Sequence, residues 1–584
     1  MDRLFKRSDS AKYFYLNKMW DFVTDPEKKG ESERYYETFP KNSRKMAVPS
    51  CWNTEIGLFR YTGTAWYRTF FYSESENIYL KFEGVQNECD VYLDGKKIGS
   101  HYGGFLEFGF EVNSLKKSEQ ELVLKVNNET KDVNTDPLTA VAGKRREDFA
   151  HRYPSCPVEV IELSDVWLSS IRVNYTLEND YKDALLWAEI KIKTYKPVTD
   201  ELRLFLDGKT VYKKSLTVDG EAVIATDKIL ISDVRLWDIY KPELYMVKAE
   251  FSGSDLYERI GFREIKTEHK DILLNGRKIR LLGINRHEEH PDWGFSMPFK
   301  LIKRDIDIIK SMNCNAIRSS HYPNSAKTAD YLDEVGMLFW SELPLWGRPE
   351  AAMTDPLAVS RVLEMEKEMI NAGINHPSII IWSMHNECAT DTKGGYELTK
   401  KMTELARRMD DSRIITYVSN RSGDAHPDIC YSLADMICMN AYISWYNDVK
   451  REDWKEFLKR QKKMIKACDA LDKPYVMTEF GAGAIAGFNS FEAQRWSEDY
   501  QVESLKFSLE QLLSQRSVSG VYIWQYCDIR TSAFYELSRP RSFNNKGILD
   551  EYRRPKRSYY TVRDIYGKHS GKKDENYKIK LFGY

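Results

Sequence analysis

Residues 378–387 read "SIIIWSMHNE", an apolar run that ends on Asn386-Glu387. Three consecutive isoleucines and a tryptophan suit a strand buried on both faces, as in a parallel sheet. An acid at the end of such a strand stands where α/β folds usually place their chemistry. Alone, Glu387 reads as readily as a polar cap. Other apolar runs end in the same way, however, with His287, His321, Glu342, Tyr442, Trp445, Glu479, Trp524 and Asp528 at or just past them. Converging acids, imidazoles and aromatic rings are what glycoside hydrolysis requires. One carboxyl group protonates the leaving oxygen, another attacks the anomeric carbon or activates water, and aromatic faces shape the apolar side of a sugar. Glu387 and Glu479 are the natural pair, and Glu342 reads better as a structural partner for a neighbouring Arg or Lys.

The elements that must position them follow from the patterning. Up to about residue 175 the chain alternates short strands with Asp-Gly or Gly-Lys turns, as in 64–72, 77–85, 88–99 and 121–128. This suits a jelly-roll β-sandwich. A second β block, with strands at 184–195, 201–216 and 243–253, fits an immunoglobulin-like sandwich without a Cys-Trp-Cys core. Near residue 266 the period changes. Eight apolar runs alternate with helical segments, and Ile302, Ile306 and Ile309 mark one helix face at i, i+4, i+7. Eight βα repeats predict a (β/α)8 barrel with its site at the C-terminal ends of the strands. The expected domains are 1–176, 177–265 and 266–584. Glu387 then ends strand four and Glu479 strand seven. In a closed barrel they face one another across the mouth, at about the 5–5.5 Å of retaining glycosidases.

Composition excludes other classes. The 584 residues carry a formal net charge of −1, so there is no field for nucleic acid or an anionic membrane. Nine scattered cysteines with no C-x-x-C pair argue against a disulfide framework or a cysteine zinc site. The N-terminus lacks the apolar core of a signal peptide, and no run approaches 18 apolar residues, so a cytoplasmic protein is expected. "HEEH" (287–290) lacks the H-E-x-x-H spacing of a zinc helix, and no metal is expected. "GAGAIAG" (481–487) has the wrong spacing for a dinucleotide loop. No G-x-S-x-G elbow occurs.

The stretches "GTAWYRTFF" (63–71), "GINRHEEHP" (283–291), "RSSHYP" (318–323), "NHPSIIIWSMHNE" (375–387), "VMTEFGAGAIAGF" (476–488) and "FNNKG" (543–547) resemble family 2 of the glycoside hydrolases, and within it the β-glucuronidases. The resemblance covers nearly the whole chain. It implies that Glu387 is the acid/base and Glu479 the nucleophile of a retaining exo-β-glucuronidase. It places His287, His321, Asn386, Asn440, Tyr442, Tyr446 and Trp524 along the sugar site. It makes Asn544 and Lys546 the pair that reads the glucuronate carboxylate. Asp148 matches an acid reaching from the jelly-roll domain, although the surrounding stretch, 148–160, departs from the family pattern. The implied substrate is a small-molecule or oligosaccharide β-glucuronide, with no cofactor, and the implied assembly is a dimer or tetramer. On the same scaffold stand β-galacturonidase and β-galactosidase, and from another class a catalytically inactive carbohydrate-binding protein.

Overall fold

The computed structural model describes residues 3–129, 157–422, 426–443, 445–446, 454–531 and 538–570. The first sandwich sets a six-stranded antiparallel sheet, centred on Thr64–Phe71 and Gln120–Asn127, against a four-stranded sheet centred on Ile78–Phe82 and Val158–Glu162. Alternate residues of both sheets, among them Phe22, Tyr67, Leu80, Leu124 and Val160, meet in its core. In the second sandwich, the sheet carrying Val166–Glu178 and Asp183–Thr194 faces the sheet carrying Val198–Leu206 and Tyr245–Phe251. Strand Val166–Glu178 spans the boundary expected at 176 and pairs along its length with Asp183–Thr194. We therefore place the division between the sandwiches in the turn before Val166.

A three-stranded antiparallel sheet of short strands, 265–279, then covers the N-terminal end of the barrel, with Ile265, Ile272 and Leu274 packed under Leu281, Ala316 and Leu338. The barrel strands are β1 (Leu281–Arg286), β2 (Ala316–Ser319), β3 (Leu338–Glu342), β4 (Ile379–Asn386), β5 (Ile414–Val418), β6 (Ile437–Asn440), β7 (Tyr475–Phe480) and β8 (Val518–Ile523). Every residue in them is buried, which explains why they read as continuous apolar runs. The strands pair in parallel in chain order, with β1 beside β8. The Ser419 amide donates to Cys438 O and the Asn440 amide to Ser419 O, joining β5 to β6.

Helices follow the strands where the 3.6 period is present. Phe299–Ser311 buries Ile302, Ile306 and Ile309 against the barrel as expected. Pro356–Gly373 starts with proline in its first turn and Asp355 capping the Ala358 amide. Lys393–Met409 is capped by Thr392. Among the described residues, one of the eight helical segments expected does not form. Among the described residues between β5 and β6 there is only a short 3-10 turn, Tyr431–Leu433. The segment carries Gly423 and Pro427 and lacks a helical stripe. Asp428 organises it instead, accepting from the Tyr417 hydroxyl, the Thr390 hydroxyl and the Cys430 amide. No helix of the described residues is long and apolar enough to cross a membrane.

Candidate active site

Glu387 follows directly on β4 and leaves the strand through a left-handed backbone conformation, φ 53°. A non-glycine residue takes that conformation only where its surroundings enforce it. Here the Glu387 amide donates to Val418 O at 2.8 Å, holding the turn to β5. Its carboxylate emerges at the mouth of the barrel and receives Asn440 Nδ2 on Oε1 (2.7 Å) and Asn420 Nδ2 on Oε2 (3.0 Å).

Glu479, on β7, is brought to the same mouth by Arg318 of β2. The Arg318 guanidinium is fully buried and donates in five directions. Nε and Nη2 grip Glu342 at 2.9 Å each, and Nη1 donates to Glu479 Oε1 and Asn285 Oδ1, both at 2.9 Å. Nη2 also donates to Asn386 Oδ1 at 2.9 Å. Burial opposes the charge on Arg318, but Glu342 and Glu479 outweigh it and hold the group protonated. Tyr442 completes the cradle, its hydroxyl donating to Glu479 Oε2 at 2.7 Å. Burial first and Glu479 second push the tyrosine pKa far up, so that hydroxyl stays a donor.

Glu342 behaves as the structural partner expected of it. Burial would raise its carboxyl, yet Arg318 and His321 pull it down to about 2. An ionised carboxylate only accepts, so Nδ1 of His321, 2.7 Å away, carries the proton. Because the folded value is depressed, the stabilisation this group supplies is complete above the ordinary carboxylate range and is lost as the pH falls towards 2. Removing one partner of a buried ion pair costs about 3–5 kcal/mol. Glu342→Ala is therefore expected to lower the unfolding free energy by that amount in urea titrations. A loss within the range of a surface substitution would mean that Arg318 does not depend on it.

The remaining residues expected at the site also gather here. Asn386 Oδ1 receives both Arg318 and Asn440, so a hydrogen-bonded chain runs from Glu387 through Asn440, Asn386 and Arg318 to Glu479. His321 is sandwiched between Trp524 (centroids 5.3 Å apart) and Trp346 (6.0 Å), presenting an apolar wall. His287 stands edge-on to both His321 and Trp524. Burial, then His321 and Arg318, lowers its pKa well below the usual imidazole value, leaving the ring neutral.

The turn Asn544–Gly547 hangs over this mouth. Lys546 is almost wholly buried, with its ammonium 5.3 Å from the Tyr442 ring centre, 5.6 Å from Trp445 and 4.7 Å from Tyr446. Nζ donates to the Tyr446 hydroxyl at 2.7 Å. Asn544 is buried and accepts the Lys546 amide on Oδ1 at 3.4 Å. Beneath the turn, Asp528 Oδ1 receives Lys556 Nζ (2.8 Å) and the Gly547 amide (3.0 Å), and burial pushes its carboxyl up to about 6 against the pull of Lys556. Asp528, which ends an apolar run, thus supports the turn. The glycines of "GAGAIAG" serve close packing here. A Cβ on Gly481 would lie 2.2 Å from Trp524 O, and one on Gly483 2.8 Å from the Trp445 ring.

Asp148 lies outside the described residues. His287 and His290 of "HEEH" diverge, the second facing the Tyr552 ring. Asp330, Asp333 and His376 cluster away from the mouth, where Arg3 donates to both Asp330 oxygens and His376 pairs with Asp333. That cation already balances the acids. Sequence reasoning assigned no role to Arg318 or Asn420. The signal for Arg318 was an arginine inside a fully buried four-residue strand, since such a charge demands carboxylate partners. Nothing local marked Asn420.

Comparison with known proteins agrees along the chain. Residues 265–570 match the family model "Glycosyl hydrolases family 2, TIM barrel domain". Residues 49–151 match the galactose-binding domain-like model of glycosyl hydrolase 2, and 166–263 a further glycosyl hydrolases family 2 model. A β-glucuronidase of Paenibacillus borealis is 26% identical over 94% of this chain and 96% of its own. Among solved structures, a β-galacturonidase of Eisenbergiella tayi bound to galacturonate is 33% identical, with TM-score 0.88 over 97% of this chain and 99% of its own. A β-glucuronidase of Ruminococcus gnavus is 27% identical, with TM-score 0.84 over the same shares.

Proposed function

The chain belongs to family 2 of the glycosyl hydrolases, and from that premise we propose that it is a retaining exo-β-uronidase whose substrates are terminal β-D-glucuronides. The observation that carries the uronic acid is the Lys546 ammonium, held by three aromatic rings at the mouth. Tyr442, one of those rings, also donates to Glu479, so the cation and the proposed nucleophile share a neighbour. A hexuronate whose C1 sits at Glu479 would turn its C6 carboxylate to Lys546 and the Asn544 amide. In the first step Glu387 gives its proton to the glycosidic oxygen while Glu479 attacks C1, releasing the alcohol and forming a glycosyl ester. In the second, Glu387 as carboxylate takes a proton from water, which displaces Glu479 and releases the β-anomer. Arg318 and Tyr442 support this reading, since each donates a hydrogen bond to one oxygen of Glu479 and together they hold the carboxylate in the mouth. The roles of His287, His321, Asn386, Asn440, Tyr446 and Trp524 as walls of the sugar site belong to the same proposal, as do the homo-oligomer and the cytoplasmic location.

Lys546→Ala tests it. A charge-assisted hydrogen bond contributes roughly 1.5–3 kcal/mol, and more is lost when a buried carboxylate is left unpaired. Since about 1.4 kcal/mol is tenfold, kcat/KM on nitrophenyl β-glucuronide should fall by roughly 10²-fold. Near-normal turnover would leave the lysine a turn residue and remove the main support for a uronidase.

A second reading, β-galacturonides, is favoured by the Eisenbergiella tayi enzyme at 33% identity. The two sugars differ only at C4, and their carboxylates would meet Lys546 alike. Nitrophenyl β-glucuronide, β-galacturonide and β-galactoside compared side by side decide between them. Absence of turnover on any of these would favour a binding protein.

A further inference from the structure

We propose that a second sugar binds beyond Glu387, so that the substrate is a di- or oligosaccharide ending in a β-linked uronate. The Asn420 amide and the Arg421 guanidinium hold the hydroxyls of that leaving sugar. The proposal rests on the reading of Glu387 as the acid/base.

The two oxygens of Glu387 face different surroundings. Oε1 receives Asn440, and from there Asn386 and Arg318 lead across the mouth to Glu479. That is the side of the cleaved uronate. Oε2 receives Asn420 Nδ2, from the chain that leaves β5. The acid/base meets the glycosidic oxygen between the two sugars, so the departing group lies on the side away from Glu479. Asn420 and Arg421 border that side.

Arg421 is fixed there. Its amide donates to Ser419 Oγ at 3.2 Å, and the carbonyl of the next residue, Ser422, accepts Gln461 Nε2 at 3.3 Å. The guanidinium reaches back to the chain following β4, where Nη2 lies 3.4 Å from Cys388 O and 3.0 Å from Asp391 Oδ1. Both contacts use one nitrogen. Nη1 has no partner among the described residues, and the side chain is 30% exposed. Asn420 is exposed too, and its Oδ1 accepts nothing among the described residues. An open N–H donor and an open carbonyl acceptor thus stand on consecutive residues beside the acid/base.

Those groups select the class of leaving group. Asp391 balances the guanidinium, with His426 3.6 Å from its other oxygen, so an anionic leaving group is not required. An apolar one would cover the donor and the acceptor without pairing them, which costs free energy. Sugar hydroxyls both donate and accept, and pair with each.

Three kinds of β-glucuronide test this by kcat/KM. Disaccharides with glucuronate β-linked to each hydroxyl of a hexose in turn fill the subsite. Methyl β-glucuronide needs protonation of its leaving oxygen but leaves the subsite empty. Nitrophenyl β-glucuronide brings a ring without hydroxyls and hardly needs the acid. Wild-type protein should prefer at least one disaccharide over the methyl glycoside by about tenfold or more, because binding of the remote sugar is spent in the transition state. Arg421→Ala should lower kcat/KM on that disaccharide by roughly tenfold or more, the size of one hydrogen bond to a charged group. The methyl and nitrophenyl glycosides should stay within about threefold. Arg421→Lys, which keeps the charge without the planar fork, should lose part of the disaccharide preference at unchanged methyl turnover. The proposal is overturned if wild-type protein shows no disaccharide preference. It is overturned equally if the methyl glycoside falls in parallel in Arg421→Ala, since Arg421 would then act through Glu387. If wild-type protein cleaves neither methyl nor nitrophenyl β-glucuronide nor the matching β-galacturonides, the uronidase reading itself fails.

Discussion

Glu479→Gln is expected to lower kcat on nitrophenyl β-glucuronide by roughly 10⁴-fold or more, the order seen when a covalent nucleophile is removed. The amide is the same size but carries no charge, and it cannot suit its surroundings. Arg318 Nη1 and the Tyr442 hydroxyl both donate to Glu479, at 2.9 and 2.7 Å, so the new NH2 must face one of those donors. Folding should survive, because Arg318 keeps its two bonds to Glu342. A stable, inactive protein is the predicted result. With wild-type enzyme, a 2-deoxy-2-fluoro glucuronide should label the peptide containing "VMTEF", and NMR of early product should show the β-anomer first. Label on Glu387 or Glu342, or an initial α-anomer, would overturn the assignment.

Glu387→Ala should produce an unequal defect. A positioned general acid contributes about 10²–10⁴-fold, and only leaving groups that need protonation feel its loss. Alkyl β-glucuronides should lose that factor, whereas activated nitrophenyl glucuronides should cleave to the glycosyl-enzyme with little loss and then stall for want of a base. Azide should restore turnover and give a β-glycosyl azide, because a small anion attacks without deprotonation. Truncation also leaves Asn420 and Asn440 facing an opening that such an anion can enter. Equal losses on both substrate types would count against Glu387 as the acid.

The barrel strands were legible because burial on both faces leaves a local record, a run of apolar residues with its chemistry at the C-terminal end. Glu387 and Glu479 could be paired from the order of those runs alone, and the stripe at Ile302, Ile306 and Ile309 gave a helix that the fold contains. The expected helix between β5 and β6 failed for the converse reason. The βα alternation was extended over a segment that has no helical period, and Asp428 supplies its hydrogen bonds by other means.

What the linear order could not decide is which side chains meet once the sheet closes. Arg318, Glu342, Asn386 and Glu479 come from four strands spread over 162 residues of chain, and none has a neighbour in sequence that announces the others. Whether Lys546 faces solvent or the mouth is likewise undetermined in "FNNKG", which reads as an ordinary turn. Tertiary structure places it against Tyr442, Trp445 and Tyr446, about a hundred residues earlier. Local periodicity records how much of a residue is buried. The partner of a buried charge is set by barrel closure, because a guanidinium taken out of water must find carboxylates wherever the strands bring them.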